Sequence, residues 1–171
     1  NNNGANHSVV FFGGEPLLNL GVVKELVAYG YERADQLVKD LHFTLTTNGL
    51  SLDEATRDFL NKEQVAVVLS LDGRPEVNDR MRGKGCYRQV MPQFQELIKS
   101  RHEHNYYLRG TYTKFNLDFC EDVKHLYQLG FRELSLEPVV SPDGDYRLTE
   151  ADLPQIEAEY DRLTEFYLAR R

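Results

Sequence analysis

The sequence has few cysteines and no long apolar run, and each absence excludes a class of protein. Its two cysteines, Cys86 and Cys120, lie in neither a CxxC nor a CxxxCxxC spacing, so they predict unpaired thiols rather than a disulfide framework or a cysteine metal site. The longest apolar stretches, 9–12 and 65–71, are too short to cross a membrane. The N-terminus lacks the charged-then-apolar pattern of a signal peptide, so we expect a cytoplasmic protein.

Positive charge is also scarce. The chain of 171 residues has 20 Lys and Arg against 27 Asp and Glu, a formal net charge of −7. Nucleic acids and anionic lipids are bound by clustered basic residues, and no basic run occurs here. We therefore expect neither a nucleic acid nor a membrane as a partner, and a globular chain near the size of one domain.

Apolar runs of strand length alternate with helical patterns five times along the chain. The expected strands are 8–12, 42–46, 65–71, 106–113 and 133–138, and the expected helices are about 19–31, 51–62, 87–100, 119–129 and from 149 onward. Ser51 with Glu54 has the form of a capping box for the second helix, and a polar connection is expected through Lys84. Such alternation indicates parallel strands with helical crossovers, in a barrel or an open doubly wound sheet.

The segment VVFFGGEPLL is the most informative one. A buried strand runs into Gly13 and Gly14, which let the backbone turn and approach a bound molecule without a Cβ in the way. Glu15 then places a carboxylate at the C-terminal end of the strand. On these residues alone, a ligand site and a tight turn that only favours the next helix remain equal alternatives.

Polar residues and glycines follow the other predicted strands in the same way. Ligands of parallel β/α folds bind beyond the C-terminal ends of the strands, so these positions are expected to line one site. They are Thr47-Asn48-Gly49 after the second strand, Ser70 and Asp72 at the third, Arg109 and Thr111 on the fourth, and Glu137-Pro138 at the fifth. Each motif alone is an ordinary turn, and their joint placement favours a ligand site.

Taken in order, these motifs resemble the radical S-adenosylmethionine (SAM) superfamily. The segments FFGGEPLLN, FTLTTNGL, VVLSLDGRPEVNDRMR, YYLRGTYT and LSLEPVV are similar to its peptide-modifying branch with a C-terminal auxiliary-cluster domain, and most to maturases that form thioether cross-links in six-cysteine peptides. The resemblance runs from about Val9 to Leu168. It implies an α/β fold, a partial (β/α)6 TIM-barrel-like core with about five parallel strands alternating with helices.

The resemblance also implies a reaction. The parent enzyme would reductively cleave S-adenosylmethionine to modify a ribosomally made peptide, by thioether formation. The implied cofactors are S-adenosylmethionine and a 4Fe-4S cluster. In the family, the GGEP turn holds the methionyl ammonium of the cofactor, at positions that are Gly13, Gly14 and Glu15 here, and Thr47 and Asn48 would lie at the edge of the cofactor.

The third strand would supply the rest of the cofactor site. The resemblance implies that Ser70 and Asp72 bind the ribose or the methionyl end, and a hydroxyl and a carboxylate suit sugar hydroxyls. The arginine expected to pair with the methionyl carboxylate is Arg82, with Arg80 as its close competitor. Relatives tend to have a histidine where this chain has Asn78.

Arg109 and Glu137 would face the cavity for substrate or adenosine. An internal salt bridge between the two side chains is an equally open interpretation.

The CxxxCxxC loop that supplies three cluster thiolates in this superfamily has no counterpart in the sequence. We therefore expect residues 1–171 to be a single incomplete core domain, about strands two to six, without the cluster-loop segment or the auxiliary domain. The cluster ligands would then lie outside this chain, and the chain alone would be inactive. An uncovered first strand would also expose backbone groups, which predicts a homo-oligomer formed through that edge.

The residues of the sequence are also compatible with two other functions. One is a small α/β module that binds a nucleotide or an amino acid without redox chemistry. The other is a cofactor-independent barrel enzyme that uses Glu15, Asp72 and Glu137 as acid and base.

Overall fold

The computed structural model describes residues 6–101, 104–141 and 144–170. The strands are β1 (Asn6–Phe11), β2 (Asp40–Thr47), β3 (Ala66–Ser70), β4 (Tyr106–Tyr112) and β5 (Leu134–Pro138). The α-helices are α1 (Leu20–Leu37), α2 (Glu54–Lys62), α3 (Pro75–Arg82), α4 (Cys86–Ser100), α5 (Phe119–Gln128) and α6 (Leu153–Leu168). The strands follow one another in chain order in one sheet, and the registers of β1 with β2, β2 with β3 and β4 with β5 are parallel.

The chain divides into two compact units. The first comprises residues 1–70 and 89–107, and the second comprises residues 71–88 and 108–171. The first unit therefore contains β1, β2, β3, α1 and α2, together with nearly all of α4. The second contains α3, α5, α6, β5 and most of β4.

The core of the first unit follows from the alternation of side chains along its strands. Phe43, Leu45 and Thr47 are buried on β2, whereas the residues between them are partly exposed. The buried members from the other elements include Val23, Val27, Leu60, Val67, Leu69, Phe94 and Leu97. Burial of each such Val, Leu or Phe side chain contributes about 1.5–3 kcal/mol, so the helices are held on the sheet by their apolar faces.

The second unit has its own core. Tyr112 of β4 stacks on Phe119 of α5 with ring centroids 4.4 Å apart, and Ile156 of α6 belongs to the same buried cluster. Gly110 lets β4 approach the segment after β3, because a Cβ there would lie 2.5 Å from the carbonyl oxygen of Leu71.

Three local expectations were wrong. Strand β1 was expected to be buried, but Val9 and Val10 are 40% and 57% exposed, because β1 is at the edge of the described sheet and pairs only with β2. The segment expected as a polar connection contains α3, because a helix that buries only Val77 and Asn78 leaves almost no apolar periodicity in the sequence. Helix α2 is capped by Asp53 rather than Ser51: the Asp53 side chain accepts a hydrogen bond from the Thr56 N–H, the bond that an N-cap makes.

The C-terminal helical segment starts at about residue 149, as predicted. Thr149 forms a capping box with Asp152, in which the Thr149 N–H donates to the Asp152 carboxylate over 2.7 Å. A short 3-10 turn, Glu150–Asp152, then leads into α6. Within residues 6–101, 104–141 and 144–170, no helix combines the length and apolarity that a membrane crossing requires.

Candidate functional site

Glu15 is the centre of a hydrogen-bonded cluster in the first unit. It follows β1 and caps a 3-10 turn, Pro16–Asn19. Its Oε1 accepts from the Leu17 N–H (3.1 Å) and from the Thr47 hydroxyl (2.9 Å), and its Oε2 accepts from the Asn48 N–H (2.7 Å). The carboxylate therefore joins the turn after β1 to the turn after β2, as expected for residues that share one end of a parallel sheet.

The charge of Glu15 is not neutralised by these contacts. All three donors are neutral, and no Lys, Arg or His of the described chain lies within 4.0 Å of the carboxylate in an ion pair. A carboxylate has about four acceptor sites, so one remains. The side chain is only partly buried, which leaves it accessible to a cationic ligand.

The two glycines before Glu15 adopt backbone angles that favour glycine. Gly13 has φ +93° and Gly14 has φ +53°, and a Cβ at either position would meet nothing within 4 Å. The requirement for glycine therefore comes from the backbone conformation. The same open space leaves the backbone of the turn accessible to a bound molecule.

Thr47 and Asn48 organise the second turn. The buried Thr47 hydroxyl donates to Glu15 and accepts from the Gly49 N–H (3.0 Å), so this side chain orients Glu15 from behind. Asn48 gives Glu15 its backbone N–H, and its side chain accepts from the Leu50 N–H (2.9 Å). A Cβ at Gly49 would lie 2.1 Å from the Phe94 ring, so the glycine of this motif serves packing.

Ser70 is the last residue of β3 and is partly exposed. Its hydroxyl makes no hydrogen bond to another residue of the described chain, so it is available to a ligand.

Asp72 lies in the second unit and differs from Glu15 in its partner. Its carboxylate forms a two-point pair with Arg82, through Nε (2.7 Å) and Nη2 (3.0 Å), and also accepts from the Thr111 N–H (3.0 Å). The Asp72 side chain is 3% exposed and that of Arg82 is 27% exposed. Bidentate pairs of this kind are among the stronger hydrogen bonds in proteins, so Arg82 is fixed by a neutralised, buried carboxylate.

Asn78 holds the backbone of the same turn. It is fully buried, and its Oδ1 accepts from the Asp72 N–H over 3.2 Å. Its Nδ2 has no hydrogen-bond partner. Asn78 is therefore a support for the backbone of Asp72.

The structure separates the two candidate arginines. Whereas Arg82 pairs with Asp72, the guanidinium of Arg80 lies 3.5 Å from the centroid of the Phe115 ring. A cation over an aromatic face is a stabilising contact, and it places Arg80 in a different environment.

Arg109 and Glu137 form the salt bridge that was one of the two interpretations. The distance is 2.7 Å, and the side chains are 43% and 48% exposed. The hydrogen bond from Arg109 lowers the pKa of the Glu137 carboxyl. Each side chain neutralises the charge of the other. Both remain accessible because the pair is exposed.

A charged network that the sequence did not reveal supports the Asp-Gly turn. Arg74 donates from its backbone N–H (2.9 Å) and its Nε (2.8 Å) to Asp122 and from its Nη2 to both carboxylate oxygens of Asp118. Asp122 has no exposed surface, and its burial raises its pKa. The only signal in the sequence was an arginine directly after Asp-Gly.

The described residues do not suit an iron–sulfur cluster. Cys86 and Cys120 are both buried and unpaired, at the starts of two different helices. No group of three His, Cys, Asp or Glu side chains in the described part of the chain could hold a metal ion.

Comparison with known proteins identifies the family. The family model of the radical SAM superfamily matches residues 1–122. Because this match covers more than half of the sequence, the chain belongs to the radical SAM superfamily, whose members use S-adenosylmethionine and a 4Fe-4S cluster.

Individual relatives have low sequence identity to this chain but match most of its length. An uncharacterized protein of Methanocaldococcus jannaschii is 26% identical over 161 residues, 91% of this chain and 53% of the relative. A cysteine-type anaerobic sulfatase-maturating enzyme of Clostridium novyi is 24% identical over 151 residues, 83% of this chain and 39% of that enzyme. The solved structure of anSMEcpe with bound AdoMet and Cp18Cys peptide matches with a TM-score of 0.84 and 22% identity, over 96% of this chain and 49% of that chain.

These comparisons confirm the predicted fold, a partial TIM-barrel-like radical SAM core of parallel strands alternating with helices. The chain spans about half the length, or less, of the relatives it matches.

Proposed function

We propose that Glu15 binds the methionyl ammonium of S-adenosylmethionine, in an enzyme that uses this cofactor to modify a peptide. The observation that carries the proposal is the unneutralised charge of Glu15, held by three neutral donors where β1 ends. An ammonium supplies both the missing donor and the missing positive charge, and such charge-assisted bonds are stronger than neutral ones.

The other residues of the first unit have distinct parts in this proposal. Gly13 and Gly14 let the backbone lie against the cofactor, and Thr47 and the Asn48 N–H fix the direction of the Glu15 carboxylate. Ser70 offers a free hydroxyl to the ribose or the methionyl end. Each of these groups binds or orients, and none of them transfers a proton.

In the second unit, we propose that Arg82 is the group that binds the methionyl carboxylate. The Arg82 side chain is 27% exposed, and Asp72 contacts only its Nε and Nη2, which leaves N–H groups of the fixed guanidinium for a ligand. On this proposal Asp72 is a positioning residue rather than a ribose ligand, because its carboxylate already accepts from Arg82 and Thr111.

When bound, S-adenosylmethionine would supply radical chemistry for the modification of a substrate. The chain contributes binding and orientation of the cofactor, and the described residues provide no ligands for the cluster. A peptide as substrate is supported by the sulfatase-maturating relative and by the peptide bound in the matched structure. Thioether formation rests on the ordered motifs of the sequence alone.

Binding of the cofactor to the full chain tests the role of Glu15. Calorimetry or equilibrium dialysis should show that Glu15→Gln weakens S-adenosylmethionine binding by about tenfold to a hundredfold, the value of a hydrogen bond to a charged group. Methylthioadenosine lacks the methionyl ammonium, so its affinity should not change. Glu25→Gln, on the exposed face of α1, is the matched control. Equal losses for both ligands would refute the role of Glu15.

The edge of β1 supports a proposal about assembly. Within the described sheet β1 pairs only with β2, and Val10 and Phe12 are 57% and 67% exposed. Exposed strand edges tend to pair with another chain, so we propose that two copies associate through β1. Light scattering of the full chain should give a dimer or larger species, and a monomer at all concentrations would contradict it.

A further inference from the structure

A second polar pocket lies in the first unit, where β3 and β4 begin. The cavity has a volume of about 210 Å³. Asn61 and Gln64 line it from the end of α2, Ser100 and Arg101 from the end of α4, and Asn105 from the residue before β4. Glu15 and Thr47 lie where β1 and β2 end, so this pocket is separate from the proposed cofactor site.

Arg101 carries a positive charge into this pocket. Its Nε donates to the Asn61 Oδ1 over 2.8 Å and its Nη1 donates to the Asn105 carbonyl over 2.7 Å. Its Nη2 is buried and has no partner. Among the described residues no carboxylate forms an ion pair with Arg101, and burial lowers the pKa of the guanidinium to about 10.

The walls of the pocket are fixed by neutral hydrogen bonds. The Asn61 amide donates to the Ser100 hydroxyl (2.9 Å), and the Asn105 amide donates to the Gln64 carbonyl (3.2 Å). Gln64 and Asn105 both have left-handed backbone angles, φ +54° and +58°. Such conformations cost free energy in residues other than glycine, and here both shape one pocket.

We propose that this pocket binds a small oxyanion, a phosphate or a carboxylate group, on Arg101. A buried guanidinium without an anion is unfavourable, and the N–H groups of Nη2, which have no partner, can donate to the oxygens of either group. No Asp or Glu occurs among the described residues that line the cavity, and the exposed His104 adds a further polar group at its rim. The inference does not depend on the proposed function.

Nitrogen NMR of arginine side chains in the full chain tests the proposal. Inorganic phosphate and acetate are titrated separately at constant ionic strength, with chloride as the balancing anion. We expect a saturable shift of the Arg101 Nε signal with phosphate, acetate or both, and the pair of titrations tells which oxyanion binds. Arg57 is the internal control, because its guanidinium bonds to Leu52 and Gln93 in the same unit and lies outside the pocket. An Arg101 signal that neither anion moves, or that moves in parallel with Arg57, overturns the proposal.

Two variants test the charge directly. Arg101→Gln should weaken the affinity for the bound anion at least about tenfold, since a bond to a charged group is worth more than one tenfold step. Gln64→Glu keeps Arg101 and adds a carboxylate to the wall, so it should weaken anion binding by a similar factor even if Arg101→Gln fails to fold. Anion affinity that Gln64→Glu leaves unchanged would contradict the proposal.

Discussion

Glu15 and Asp72 are two carboxylates that follow strands of the same sheet, yet their surroundings differ. Glu15 accepts from three neutral donors and has no cationic partner among the described residues. Asp72 forms an ion pair with Arg82 and is almost fully buried. The difference teaches that the first carboxylate is suited to bind a cation, whereas the second is suited to hold a side chain.

The largest expected effect on stability comes from removing the charge of Asp72, and the same change at Glu15 provides the comparison. Asp72→Asn should lower the free energy of unfolding by about 3 kcal/mol, because it breaks a buried ion pair. Glu15→Gln should cost only about 1 kcal/mol, because it perturbs hydrogen bonds from neutral donors at a partly exposed site. Urea unfolding followed by circular dichroism measures both.

The matched control for these variants is Glu121→Gln, which removes an exposed pair with Lys124 and should change stability by less than about 0.5 kcal/mol. A larger loss for Glu15→Gln than for Asp72→Asn would reverse the assignment of roles.

A smaller effect on stability is expected for Thr47, whose hydroxyl donates to Glu15. Thr47→Val should destabilise the chain by about 1–2 kcal/mol, because it leaves the Gly49 N–H without a partner and removes one of the two donors to the Glu15 Oε1. Thr47→Ser keeps the hydroxyl and should retain most of the stability. If valine proves as stable as threonine in thermal unfolding, the hydroxyl does not hold Glu15.

The smallest effect concerns Glu137, a third carboxylate at a strand end. The hydrogen bond from Arg109 keeps its pKa below the ordinary value of 4.5, so its stabilising contribution is present above that value and is lost as the pH falls through the lowered pKa. Both side chains are exposed, so the contribution should stay under about 1 kcal/mol. A carbon-detected NMR titration should show the lowered pKa, and Arg109→Met should return it to its ordinary value. A wild-type pKa at or above 4.5 would contradict the pair.

Much of the fold was predictable from local patterns. Buried runs such as 65–71 gave the strands, and the five β-then-α repeats gave the parallel arrangement that the matched structure confirms. Helix α3 was not predictable, because it buries only Val77 and Asn78. The cap of α2 was misassigned since Ser51 and Asp53 both have side chains that cap helices.

The contacts of the candidate site residues were not predictable from the sequence. The sequence placed Asp72 at the end of the third strand, and the resemblance named Arg82 as the partner of the methionyl carboxylate with Arg80 as its competitor. Only the structure shows that Asp72 holds Arg82 while Arg80 stacks on Phe115. Arg74 and Asp122 were missed because their contact joins residues 48 positions apart.

The sequence by itself determined the alternation of strands and helices, the polar motifs at the strand ends and the family to which they belong. These features depend on residues that are neighbours in the chain. The tertiary structure decided which partner each charged group has, because the bonds from Glu15 to Thr47 and from Asp72 to Thr111 span 32 and 39 positions. Whether a carboxylate meets a neutral donor or a guanidinium is set by folding, and that choice separates a cation-binding group from a support.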